Sequence, residues 1–72
     1  MRLPRDVSGK DLAQRLAIFG YVTTRHTGSH KRLTTQRNGT HHITIPAHSS
    51  IRVGTLASIL ADVATHMGIE RE

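Results

Sequence analysis

Gly28-Ser29-His30 sets a permissive backbone, a hydroxyl and an imidazole on consecutive residues. Histidine, with an ordinary pKa of about 6.5, is the side chain best placed to give and take protons near neutrality. The chain around it is basic. No Asp or Glu occurs between Asp11 and Asp62, whereas Arg15, Arg25, Lys31, Arg32, Arg37 and Arg52 do, together with His26, His30, His41, His42 and His48. Cations and imidazoles without carboxylates suit a polyanion, and a nucleic acid is the obvious one. RNA can be cut without a metal or other cofactor, because its own 2′-hydroxyl can attack the neighbouring phosphorus. The protein must then remove that proton, deliver one to the leaving 5′-oxygen and stabilise charge on the phosphoryl oxygens. A positioned imidazole contributes roughly 10²–10⁴-fold to such proton transfer, and fixed cations supply the charge stabilisation. In this chemistry His30 is the general base or acid, and Arg25, Lys31 or Arg32 holds phosphate. Gly28 lets the backbone turn tightly against the ligand, and Ser29 orients a neighbour or donates to a phosphate oxygen. On pattern alone, an ordinary Gly28-Ser29 turn followed by an exposed strand histidine fits these residues at least as well.

The other candidates are weaker. His48, two residues past Pro46, is placed either to supply the second proton-transfer group, to bind RNA, or to cap backbone carbonyls as a loop histidine. His41 and His42 are adjacent, so strand geometry sends them to opposite faces and they cannot chelate one ion together. A zinc site from His30, His42 and His48 lacks any cysteine or nearby carboxylate and is disfavoured. Arg37 lies at a turn, where a phosphate contact and simple exposure are both ordinary. Phe19 and Tyr21 are the only aromatic residues, which leaves little basis for base stacking. There is no glycine-rich nucleotide loop and no paired carboxylate.

These residues have to be positioned by a small framework. Ser8 followed three residues on by Asp11 reads as a helix cap, Leu12, Leu16 and Phe19 form one apolar stripe, and Gly20 ends it; a helix is expected at about 8–19. Tyr21 to His26 is rich in β-branched residues and reads as a strand, with Thr27-Gly28-Ser29 as a turn. Lys31 to Gln36 is the second strand, Asn38-Gly39 a hairpin signal, and His41 to Ile45 the third strand, stopped by Pro46. With Leu33, Ile43 and Ile45 facing the core, His30, Arg32, Thr34, His42 and Thr44 share the outer face. The first strand is ambiguous, since Tyr21 and Val22 both suit the interior; an inward Val22 sends Arg25 outward, and one bulge reverses such an assignment. Leu56, Ile59, Leu60, Val63 and Met67 form a last core stripe, starting near Gly54-Thr55 and capped by Gly68, with His66 near the negative pole. The expected fold is α+β, in the order α-β-β-β-α: a three-stranded antiparallel sheet with two helices on one face.

Bulk properties agree with a small binding or catalytic unit. Residues 1–72 make one domain, and a chain of this size buries only about 60% of its unfolded surface, so function belongs on an open face. The formal charge of +5 favours acidic partners. The lack of cysteine excludes disulfides and thiolate metal sites and is compatible with the cytoplasm. No apolar run approaches the ~20 residues of a membrane span. Met1-Arg2-Leu3-Pro4-Arg5 carries charge without the apolar core of a signal peptide, which argues against secretion.

An ordered set of motifs resembles the HicA family, the mRNA interferases of bacterial toxin–antitoxin pairs. The motifs are Ser8-Gly9-Lys10 with Leu12 and Leu16, Gly20-Tyr21, Gly28-Ser29-His30, Ile45-Pro46 with His48, and Gly54-Thr55-Leu56 with Ile59-Leu60. They span about Ser8 to Gly68. The resemblance implies a fold like the double-stranded RNA-binding domain, a catalytic role for His30, an mRNA substrate, and a HicB-type antitoxin that masks the toxin. The chain departs from the family pattern at Lys31 and Arg32, where the family often has a more apolar strand, and matches loosely over Ser49-Ser50-Ile51-Arg52. The expected function is therefore a metal-independent endoribonuclease toxin of the cytoplasm. A non-catalytic RNA-binding module using the same basic face is the alternative, and a domain docking an acidic protein partner is a third reading.

Overall fold

The computed structural model describes residues 7–69, so the opening Met1-Arg2-Leu3-Pro4-Arg5 segment lies outside the described residues. Helix α1 spans Gly9–Leu16 and passes into a single 3₁₀ turn, Ala17–Phe19. Ser8 caps it, its hydroxyl accepting the Asp11 backbone N–H at 3.0 Å. The expected helix to Phe19 thus tightens in its last turn. Gly20, at φ +83°, takes the left-handed cap that reverses the chain. Carbonyls left over at this end find partners in the sheet region. Phe19 accepts from Thr35 Oγ1 at 2.9 Å, and Ile18 from Arg37 Nη1 at 2.7 Å. Arg37 therefore ties a turn to a helix end.

Strands β1 (Val22–Thr27), β2 (His30–Thr35) and β3 (His41–Pro46) form an antiparallel sheet in the order β1-β2-β3. Gly28-Ser29 is the whole β1–β2 turn, with Gly28 at φ +53°. The β2–β3 turn uses Asn38 at φ +61° and Gly39 at φ +97°, the positive values a tight hairpin demands. Leu33 lies opposite Ile43, and both are buried with Ile45 against the helices. His30, Arg32 and Thr34 face the other way, opposite Pro46, Thr44 and His42. Pro46 is the last paired residue rather than the first one beyond the strand.

Strand β1 departs from simple alternation. Tyr21 is the inward residue at 1% exposure, and Val22 points outward at 61%. Unbroken alternation from an outward Val22 would turn Arg25 inward. A bulge between Thr23 and Arg25 cancels that turn, and Arg25 sits opposite Arg32 on the outer face. Thr24 holds the bulge: its hydroxyl bonds Thr34 Oγ1 at 2.9 Å and donates to the Arg32 carbonyl at 3.3 Å.

Helix α2 spans Val53–Met67 and ends at Gly68 (φ +71°), with Leu56, Ile59 and Val63 buried beside Leu12 and Leu16 of α1. Fully burying each such side chain stabilises by about 1.5–3 kcal/mol. The two helices thus cover one face of the sheet. The C-terminal end of α2 is fastened by histidines. His66 Nε2 reaches the Arg37 and Gly39 carbonyls at 2.9 and 3.0 Å, and its ring stacks on His41 with centroids 4.3 Å apart. His41 bonds the Tyr21 hydroxyl through Nδ1 at 2.7 Å, and its Nε2 lies 3.3 Å from Asp62 Oδ1. Burial raises the Tyr21 pKa above its ordinary 10.0, and the Asp62 carboxylate adds to the effect.

Candidate functional site

The β1–β2 end of the outer face carries a shallow recess of about 180 Å³ lined by Arg25, Thr27, His30, Arg32 and Thr44. The register explains the grouping: Arg25 lies across from Arg32, Thr27 from His30, and Arg32 from Thr44. The glycine turn starts β2 at His30, and the Thr24 bulge brings Arg25 to the same face. His30 is exposed, with Ser29 Oγ 3.5 Å from its Nδ1, the long limit of a hydrogen bond. Among the described residues no hydrogen bond engages its Nε2, and no ion pair joins Arg25 or Arg32 to a carboxylate. An accessible imidazole in one recess with a cross-strand pair of guanidiniums can transfer protons next to a bound phosphate, since guanidinium forks match phosphate oxygens.

The remaining predicted residues fall elsewhere. Gly28, Lys31 and His48 line a separate recess of about 430 Å³, together with Ser8, Lys10, His26, Ala47 and Ser49. Strand alternation separates Lys31 from His30, and His26 sits opposite Lys31 on the same inner side. Ser29 lies in the turn between the two recesses. His48 thus shares its recess with Lys31, and the His30 recess holds no second imidazole. His42 is on the outer face, as expected, with Nδ1 bonded to Thr34 Oγ1 at 2.8 Å. Among the described residues no three His, Asp or Glu side chains converge to hold a metal ion. No described helix is long and apolar enough to cross a membrane.

Sequence reasoning missed Lys10, His26 and Ser8 as neighbours of Lys31. The motif Ser8-Gly9-Lys10 contained Ser8 and Lys10, but only the packing of α1 against the exit of β3 brings them there, whereas His26 arrives by pairing across from Lys31. Gly9 makes that packing possible. Its N–H donates to the His48 carbonyl at 2.9 Å, and an added Cβ would lie 2.1 Å from the Pro46 carbonyl oxygen.

A family model for the HicA toxin of bacterial toxin–antitoxin systems matches residues 9–64. That span contains both helices, apart from the last turn of α2, and the whole sheet. Neither the curated proteins nor the solved structures that were searched gave a match. The chain belongs to the HicA family: it is the toxin of a bacterial toxin–antitoxin system, and a cognate antitoxin is its implied partner.

Proposed function

We propose that this toxin is a metal-independent endoribonuclease that cuts mRNA in the cytoplasm, with His30 as the proton-transfer group. The observation that carries the reading is the exposed His30 imidazole sharing one outer-face recess with Arg25 and Arg32. In the reaction the RNA 2′-oxygen forms a bond to the adjacent phosphorus as its proton leaves, and the bond to the 5′-oxygen breaks as that oxygen gains a proton. The products are a 2′,3′-cyclic phosphate and a free 5′-hydroxyl. His30 performs one of the two proton transfers, and Arg25 and Arg32 stabilise the charge gathering on the phosphoryl oxygens. Water serves the other transfer, consistent with the absence of a second imidazole in the recess. Growth stops while mRNA is cut, and an antitoxin of the HicB type restores it by covering His30 or blocking RNA access.

The test is induced expression of the wild-type chain and His30→Ala, following growth and mRNA integrity. Wild type is expected to arrest growth and fragment mRNA, and the folded variant to do neither. A folded His30→Ala chain with full toxicity contradicts the assignment. The lone imidazole also favours one rival, a module that binds RNA through the same face without turnover. That rival predicts RNA retention by the purified toxin with no shortening of the RNA.

A further inference from the structure

The larger recess on the inner side has the composition of an anion site, although the proton-transfer chemistry does not use it. We infer that it is a second phosphodiester subsite for the same RNA, which passes over the Gly28-Ser29 turn from one recess to the other. This inference rests on the RNA-cutting reading of His30.

Four separate segments bring two lysines and two imidazoles together there: Lys10 from the first turn of α1, His26 from β1, Lys31 from β2, and His48 from the loop between β3 and α2. Among the described residues no carboxylate lines the recess. Clustered cations repel one another unless an anion sits between them, so the arrangement favours a bound polyanion. The walls are fixed before any ligand arrives. Main-chain hydrogen bonds join Gly9 to His48 at 2.9 Å, Ala47 to Ser29 at 2.7 Å, and Ile51 to Val7 at 2.8 Å. These bonds link α1, the turn and the loop into one rigid rim, which lowers the ordering cost of binding.

The turn links this recess to the catalytic one. Gly28 lines the inner recess, and His30, two residues on, lines the outer one. Nothing lies within 4 Å of the position a Gly28 Cβ would take, so the crest of the turn is open for a backbone to cross. A phosphate chain engaged at both recesses is anchored on either side of the scissile bond, which converts remote binding into orientation at His30.

The probe is a 2′-O-methyl oligoribonucleotide of about eight nucleotides, within the usual reach of small single-strand sites. Its attacking hydroxyls are blocked, so binding is read apart from cleavage. Lys10→Gln/Lys31→Gln is expected to weaken binding about tenfold and to reduce the slope of log affinity against log salt by about 1.4, at ~0.7 per phosphate contact. Arg15→Gln/Arg52→Gln, which removes the same charge elsewhere, is expected to leave that slope within a fraction of wild type. In the unaltered protein, the oligonucleotide is expected to protect the Lys10 and Lys31 amines from acetylation. Equal effects of the two double variants, or unprotected lysines, overturn the second subsite while wild-type cleavage leaves His30 in place. A wild-type protein that neither binds the probe nor cuts RNA overturns both readings.

Discussion

His30 and His41 each open a strand of the same sheet, and the fold uses them in opposite ways. His41 faces inward, with Tyr21 on one ring nitrogen, Asp62 on the other and His66 stacked on its face. Tyr21, Asp62 and His66 come from the end of α1's exit and from α2, so this imidazole joins the helices to the sheet. His30 faces outward beside Arg25 and Arg32, with one long contact to its neighbour Ser29. An imidazole with both nitrogens engaged is part of the framework. One that is open on Nε2 and shares its recess with cations is free to exchange protons with a phosphate-bearing ligand.

The contrast predicts that the two residues fail differently. His30→Ala should lower RNA cleavage by about 10²–10⁴-fold and leave the thermal midpoint unchanged, as read by cleavage assay and calorimetry. His41→Ala should do the reverse: stability falls by about 2 kcal/mol, because the buried Tyr21 hydroxyl loses its partner, while the folded fraction keeps cleaving. That loss corresponds to a drop of roughly 10 °C in the midpoint. Loss of cleavage by folded His41→Ala would erase the distinction. Arg25→Gln/Arg32→Gln should reduce cleavage by about tenfold and flatten its salt dependence, since two phosphate contacts disappear. Unchanged salt dependence would remove the guanidiniums from the site.

The smallest effect concerns the Tyr21 phenol that is bonded to the framework histidine. Folding holds the Tyr21 pKa above its ordinary 10.0, through burial and then through Asp62. Above pH 10 the unfolded chain therefore loses this proton before the folded one does, and stability falls with rising pH until folded Tyr21 ionises as well. Tyr21→Phe should cost about 1 kcal/mol at neutral pH and flatten this alkaline arm in denaturant titrations. An identical alkaline arm in the variant would assign the loss to another group.

Much of this arrangement is legible along the chain, because it depends on local signals. Ser8 capping, the Leu12 and Leu16 stripe, the Asn38-Gly39 hairpin and the alternation of Leu33, Ile43 and Ile45 each follow from a few neighbouring residues. The outward position of His30 and Arg32 follows from that alternation. The bulge at Thr24 does not, since it depends on hydroxyl contacts with Thr34 and Arg32 of another strand. Arg25 consequently reaches the outer face while Val22 is also outward, a combination that strict alternation forbids. The division of Lys31 and His48 from His30 was half visible: alternation separates Lys31, but the place of His48 depends on how α1 docks. The framework role of His41 was invisible, because Tyr21 and Asp62 are remote in sequence and an isolated strand histidine carries no mark of them.

The central claim is that His30 transfers a proton during RNA cleavage on an open, cationic face. Its most direct measurement is the fate of one defined RNA incubated with purified wild-type or His30→Ala toxin in excess chelator, with the product ends identified by mass spectrometry. The account predicts fragments ending in 2′,3′-cyclic phosphate and 5′-hydroxyl from wild type, and intact RNA from the folded variant. Equal cleavage by both proteins, or cleavage abolished by the chelator, would contradict it.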